Sequence, residues 1–241
     1  MSIHLVGGGR DEERCAAVLA PFVAEAMDAA APSDPVIALL LVREDDDETS
    51  VDRFRSVLVA AGAPVGSIRV RAIVEGERFS AEAVEGAHGV FVGGGLTPAY
   101  HDAIIGIADA VRARVDAGAP YAGFSAGAAI AASRAIVGGY SLDGVAVAPE
   151  DAAEELDEIE VREGLGLVPG SVDVHAAQWG TLTRLVAAVA RGLTPAGVAI
   201  DEHTAYVVES DGHARVRGTG NAWTVGPAVG GVSVTIDATG R

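Results

Sequence analysis

Ser125 stands in Tyr121-Ala-Gly-Phe-Ser-Ala-Gly127, a G-x-S-x-G arrangement flanked by Gly123 and Gly127 with only Ala126, Ala128 and Ala129 behind it. A serine hydroxyl is a poor nucleophile until it is exposed, held still and given a base. A sharp strand-to-helix turn meets the first two conditions, and a close strand–helix crossing leaves room only for glycine and alanine at the flanks. The start of the helix favours negative charge. The N–H of Ala126, just after the nucleophile, would donate to a developing oxyanion.

The base must come from elsewhere. Among the six histidines, His4 falls in an apolar run, His88 just before another, His101 early in a helical pattern and His213 in a polar tail. His203 follows Glu202 directly and reads as exposed. His175 differs, because it ends the extended segment Ser171-Val-Asp-Val-His175 that runs into a helix. Doubly wound sheets gather reactive residues at such strand ends. Glu202 lies just beyond the buried run Gly197–Ile200 and is the candidate carboxylate, placed at the same sheet edge as Ser125. Asp201 competes with it, since adjacent strand residues point to opposite faces and one of the two faces His175. Gly93-Gly94-Gly95 ends another apolar run and can present a backbone N–H to an oxyanion without steric hindrance. The order serine, histidine, acid argues against a lipase or esterase of the α/β-hydrolase class, whose order is serine, acid, histidine.

These residues need a scaffold of short strands and longer helices. Ile3–Val6, Val36–Val42, Val90–Val92, Tyr121–Phe124 and Gly197–Ile200 are short apolar runs, several ending in glycine. Their alternation with helical patterns predicts β–α units and one mostly parallel, doubly wound sheet with flanking helices. Val51, Phe54, Leu58 and Ala61 share a helix face, with Thr49 or Ser50 as cap and Gly62 as stop. Thr97 and Pro98 read as N-cap and first position of a helix running through Ile104, Ala108, Val111 and Val115 to Gly118. Leu182, Leu185, Val186 and Val189 predict another. Ile68–Val74 reads as an edge strand, and the segments after Thr204 as antiparallel strands closing the sheet edge. The acidic runs Glu44–Glu48 and Ala152–Glu160 read as solvated loops. No linker divides residues 1–241, which predicts a single domain.

Composition narrows the function further. Apolar residues make up 49% of the 241 residues and aromatics only 5%, so the core rests on Val, Ile, Leu and Ala. A formal net charge of −17 argues against non-specific nucleic-acid or anionic-membrane binding. The one cysteine, Cys15, permits no internal disulfide and reads as a core residue. The opening residues lack a signal-peptide pattern and no run suits a membrane span, so a cytoplasmic protein is expected. Gly7-Gly8-Gly9 is a poor dinucleotide loop: the third glycine of G-x-G-x-x-G is missing and Asp11 and Glu12 stand where a pyrophosphate would sit.

Together Phe91-Val-Gly-Gly-Gly-Leu-Thr97, Gly123–Gly127, Asp173-Val-His175 with Gln178-Trp-Gly180 and Arg184, and Gly197-Val-Ala-Ile-Asp-Glu-His-Thr-Ala205 resemble the cyanophycinase and dipeptidase E family of serine peptidases. The resemblance covers Val90–Val208. It implies a class I glutamine amidotransferase-like fold, with serine where those enzymes carry cysteine. It implies Ser125 as nucleophile, His175 as base, Glu202 as its partner, and the N–H groups of Gly95 and Ala126 as oxyanion hole. No metal or other cofactor and often a homodimer are implied as well. Leu96, Thr97, Gln178 and Trp179 occupy the positions that would line the substrate site, Trp179 either as a stacking wall or in helix packing. Two departures matter. Leu96 stands where relatives carry a polar residue, and Trp179-Gly-Thr181 replaces an R-G-R arrangement, leaving Arg184 alone of a basic cluster. Bidentate arginine is the natural partner of carboxylates, so this loss argues against aspartate-rich cyanophycin. The expected function is hydrolysis of a short peptide or isopeptide-like amide. A binding module that kept the turn, and a related acyl transferase or esterase, are the rivals.

Overall fold

The computed structural model describes residues 1–44 and 48–238. Asp45, Asp46 and Asp47 of the acidic run, and residues 239–241, lie outside the described residues.

Five apolar segments form the parallel body of the main sheet: β1 (Ser2–Val6), β2 (Ile37–Arg43), β3 (Ile68–Val74), β4 (Gly89–Val92) and β5 (Tyr121–Phe124). They lie side by side in the order β1-β5-β4-β2-β3. All but β3 are almost wholly buried, as expected for a sheet covered on both faces. β3, at the edge, is only half-buried, which matches its alternating sequence.

Helices α1 (Glu12–Ala30) and α2 (Thr49–Ala60) cover one face. There Leu19, Phe22, Phe54, Phe91 and Phe124 pack with Leu39 and Leu41. Glu48, not Thr49 or Ser50, holds the N-cap position of α2. α3 (Thr97–Ile104), α4 (Ala108–Asp116) and the short α5 (Ala126–Ala131) cover the other face with Leu40, Val92, Tyr100, Ile104 and Ile130. The helix expected from Thr97 to Gly118 is therefore two, because a 3₁₀ turn at Ile105–Ile107 interrupts it around Gly106. Leu96 is the N-cap of α3, and Thr97 is its first helical residue. Residues after α5 make β6 (Arg134–Gly138), the hairpin β7 (Ser141–Leu142) and β8 (Val145–Ala146), and β9 (Glu160–Glu163), which pairs antiparallel with β6.

The chain then builds a second sheet. β10 (Ser171–Val174) leads through α6 (Leu182–Ala190) to β11 (Gly197–Ile200), which lies parallel to it. β12 (Thr204–Glu209) and β13 (Ala214–Gly218) leave that sheet and extend the main one antiparallel beyond β1. β14 (Asn221–Ala228) and β15 (Gly231–Ala238) return to complete the order β10-β11-β14-β15. Gly197–Ile200 is thus not a strand of the main sheet, as the alternation had suggested, and only two of the C-terminal strands close that sheet's edge. The reason is local: β10, α6 and β11 form a β–α–β unit that pairs with itself. One face of this sheet, through Val172, Val174, Val198 and Ile200, joins the core around α5. The other packs Ala199 and Val225 beneath Leu185 and Val189 of α6.

A buried ion pair locks this unit. Arg184 of α6 donates from Nε and Nη2 to both carboxylate oxygens of Asp173 in β10, at 2.9 and 2.8 Å. Its Nη1 donates to the carbonyls of Gly139 and Ala152 at 3.1 and 2.6 Å, tying the excursion between β6 and β9 to the same point. Arg184 is 4% and Asp173 1% exposed, so removing either charge strands the other away from water. Arg184→Met is expected to cost about 3–5 kcal/mol of stability, read as a lowered urea midpoint. An unchanged midpoint would refute the locking role.

Candidate active site

Ser125 closes β5 and caps α5 with φ 51° and ψ −110°, a strained backbone for a side chain other than glycine. The surrounding small residues explain how the strain is held. A Cβ on Gly123 would lie 2.3 Å from the Gly127 carbonyl oxygen, and one on Gly127 would lie 2.3 Å from that of Val92. Ser125 N–H donates to Val6 O at 2.9 Å and Gly127 N–H to Gly93 O at 3.0 Å, fastening the turn to β1 and to the loop after β4.

The partners of Ser125 come from the second sheet. His175 follows β10 and Glu202 follows β11. Ser125 Oγ is 2.8 Å from His175 Nε2, and His175 Nδ1 is 2.8 Å from Glu202 Oε1. The expectation that serine and acid share one sheet edge is corrected here. The carboxyl ends of two sheets face each other, and the imidazole spans the gap.

Gly7-Gly8-Gly9, at the end of β1, makes the close approach possible. Gly7 O accepts the N–H of His175 at 3.0 Å and Gly8 O that of His203 at 2.8 Å. A Cβ on Gly7 would lie 2.2 Å from Asp201 O, one on Gly8 2.2 Å from His175 Cε1, and one on Gly9 2.4 Å from His203 Nε2. His175 has φ 55° and turns away from its strand into a tight turn, so the helix that follows begins only at Leu182.

The two acids at 201 and 202 divide their work. Glu202 turns toward His175, and its N–H donates to Gln178 Oε1 at 2.9 Å. Asp201 is 2% exposed and turns the other way. It accepts from the N–H of Ala177 and Asn221, the Asn221 side chain and the Trp223 indole, all at 2.9–3.1 Å. It therefore knots the turn after His175 to the start of β14.

Burial holds the His175 pKa below the ordinary histidine value, and the hydrogen bond and charge of Glu202 oppose that effect in part. The Trp179 indole is stacked on the imidazole, with ring centroids 4.0 Å apart and planes at 9°. The stacking alternative for Trp179 is the one observed, and its partner is His175. Among the described residues, the N–H groups of Gly95 and Ala126 have no hydrogen-bond acceptor within the protein. A Cβ on Gly94 would lie 2.8 Å from Ser125 Cβ, so the glycine loop sits against the hydroxyl.

A cleft of about 780 Å³ opens over Ser125, with Gly95, Leu96, Trp179, Glu202 and Arg53 among the residues lining it. Leu96 and Trp179 are where the sequence placed them. Thr97 is buried, and its N–H is not free to donate to a substrate because it donates to Glu154 Oε2 at 2.8 Å. Gln178 holds the backbone of Glu202. Glu154 corrects the reading of 152–160 as a solvated loop: it is half-buried, lines the cleft and serves the start of α3. Arg184 is spent on Asp173 and offers no charge to a ligand. Arg53 was missed. It donates to Gly9 O at 2.6 Å and lies over the rings of Phe54 and Phe124. No sequence pattern marks it, because its partners come from three elements.

Four of the other histidines serve the fold. His4 is buried against Glu25, His88 accepts from Val36 N–H, and His101 bonds Glu163 O. His203 receives the Asp11 N–H at the start of α1. Cys15 is buried, as expected. Among the described residues, no helix is long and apolar enough to cross a membrane.

Gly8→Ala places a methyl where the imidazole lies, at a backbone φ of 100°. The variant is expected to lose at least about 10²-fold in hydrolytic rate through misplacement of His175 while remaining folded. Rates measured beside circular dichroism would check this, and wild-type turnover would contradict it.

Comparison with known proteins places the chain in a family. Residues 42–216 match peptidase family S51. The cyanophycinase of Nostoc sp. strain PCC 7120 is 29% identical over 235 residues, 94% of this chain and 74% of that protein. The cyanophycinase of Geminocystis herdmanii is 28% identical over 230 residues, 93% of this chain and 80% of that one. In fold, the chain is similar to a peptidase from an acI-B1 Actinobacterium, with a TM-score of 0.73 at 18% identity over 100% of this chain and 95% of the other. A putative peptidase E protein from Listeria monocytogenes gives 0.54 at 14% identity over 90% of this chain and 98% of that one. The family match spans most of the sequence, and the chain belongs to peptidase family S51, as a serine-type peptidase.

Proposed function

We propose that the protein hydrolyses a short peptide or isopeptide-like amide through an acyl-enzyme on Ser125, with His175 as base and Glu202 as its partner. The observation that carries this reading is the unbroken line of contacts, Oγ to Nε2 and Nδ1 to Oε1, each 2.8 Å. Attack of Ser125 Oγ on the amide carbon passes the hydroxyl proton to His175 Nε2. Glu202 accepts from Nδ1–H, which selects the tautomer with a free Nε2 lone pair and steadies the imidazolium that forms. The carbonyl oxygen, now negative, takes the N–H groups of Gly95 and Ala126, and the dipole of α5 adds to them. The imidazolium then protonates the leaving amine, and the C–N bond breaks. Water, deprotonated by His175, attacks the ester carbon, and Ser125 leaves with the proton restored.

The sheet order and the nucleophile turn support a class I glutamine amidotransferase-like fold, and we propose residues 1–241 as one domain of it. The substrate differs from cyanophycin in this reading. By the resemblance, Trp179-Gly-Thr181 replaces an R-G-R arrangement, and the remaining Arg184 is bound internally, so no arginine of that cluster is offered to an aspartate-rich chain.

Ser125→Ala is expected to lower turnover by about 10³–10⁶-fold with the fold intact. Covalent labelling of the wild type by a fluorophosphonate, lost in that variant, would accompany it. Failure of the wild type to label would end the proposal. The pH dependence has a definite sign. His175 acts as base only when neutral, and its pKa lies below the ordinary value of 6.5. Activity therefore persists on the acidic side, and the acid limb of kcat/KM has its midpoint below 6.5. Glu202→Gln removes the stabilisation of the cation. It is expected to move that midpoint further down and to slow turnover about 10²–10⁴-fold. A midpoint moving upward would contradict the role of Glu202.

A further inference from the structure

The edge of the His175 imidazole meets three groups already described. Ser125 meets Nε2, Glu202 meets Nδ1, and Gly8 lies against Cε1. Two hydrogen bonds in the ring plane fix an axis, and a ring held only by such bonds remains free to tilt about it. The face contact with Trp179 opposes that tilt, since indole and imidazole lie within 9° of parallel at 4.0 Å. The backbone that carries the indole is fixed, because the main-chain N–H of Trp179 donates to His175 O at 2.8 Å across the turn. It also stands between the base and water: Trp179 is 41% exposed, whereas His175 is only 6% exposed.

We propose that Trp179 is a positioning residue, a removable wall that holds the plane of the His175 imidazole and keeps the base dry. The inference rests on the reading of His175 as base and extends it to a residue that touches neither nucleophile nor acid.

Two effects of the indole oppose each other. Its face attracts an imidazolium through the ring quadrupole. Its bulk excludes water, which disfavours that same cation. Burial is the largest influence on His175 and the stacked indole contributes to it, so its removal is expected to raise the pKa. The other charged groups around the ring stay fixed when Trp179 is changed. They are Glu202, Asp173 of β10 and Arg184 of α6, with His203, Arg10, Asp11, Glu44, Arg53 of α2 and the wall acids Asp151, Glu154 and Glu155 around the cleft. A shift on substitution therefore reports the indole.

The test is the rate of fluorophosphonate labelling against pH in the wild type, Trp179→Ala and Trp179→Phe. The alanine variant is expected to label about 10-fold more slowly, through lost orientation, with its midpoint raised toward the ordinary histidine value. Phenylalanine keeps a flat ring at the site and is expected to restore the rate to within about 3-fold and the midpoint to the wild-type position. A second readout is independent of chemistry at Ser125. With Trp223→Phe, Trp179 is the one remaining indole, and a protonated imidazole stacked on it quenches its emission. Emission is expected to fall through the same midpoint as labelling, and the step to vanish in His175→Gln. Wild-type rate and midpoint in Trp179→Ala, or an emission curve that ignores His175, would overturn the proposal. Failure of the underlying reading looks different: the wild type itself would not label, while the emission step would survive.

Discussion

Everything in this fold answers to one demand of distance. An imidazole must reach a hydroxyl carried by one sheet while holding a carboxylate carried by another, and two contacts of 2.8 Å leave no slack. The two sheets can come that close only where nothing projects between them. Gly7, Gly8 and Gly9 supply the gap, since a methyl on any of them would collide with Asp201, His175 or His203. The same demand repeats under the nucleophile, where Gly123 and Gly127 let a strand and a helix cross at backbone contact. Omitting side chains at five positions lets three others meet.

Polar groups buried behind the site hold these approaches in register. Asp201 gathers donors from the turn after His175 and from β14. Asp173 and Arg184 join β10 to α6 and to the excursion that carries the cleft wall. Neither group reaches the cleft. Each converts a loop into a fixed abutment, and reactive side chains on loops gain from such support. Glu154 extends the pattern to the far wall, where its carboxylate meets the first N–H of α3 and burial raises its pKa.

Much of this was legible before any coordinates. Ser125 betrays itself because its neighbours must be small, and steric rules act locally. His175 and Glu202 follow from their places just past buried runs. The main sheet, α2 and α6 follow from apolar periodicity, which needs no knowledge of partners. What stayed hidden depends on pairing across distance. Gly197–Ile200 is as apolar as the strands of the main sheet, and nothing in four residues says which sheet they join. Gly7–Gly9 reads as a failed phosphate loop, since its purpose lies in side chains some 170–200 residues further on. Arg184 looks available until Asp173 is found beside it, and Arg53 has no local signature. The break at Ile105–Ile107 interrupts a pattern that continues across it without losing its apolar face.

The wide spacing of the parts bears on how the molecule is made. Ser125 is synthesised 50 residues ahead of His175 and 77 ahead of Glu202. β1 pairs with β12, some 200 residues further along the chain. A nascent polypeptide that has emerged only as far as residue 170 has the turn at Ser125 but neither His175 nor Glu202 to meet it. The contacts of the site therefore close late, only once residues 1–202 have all been made.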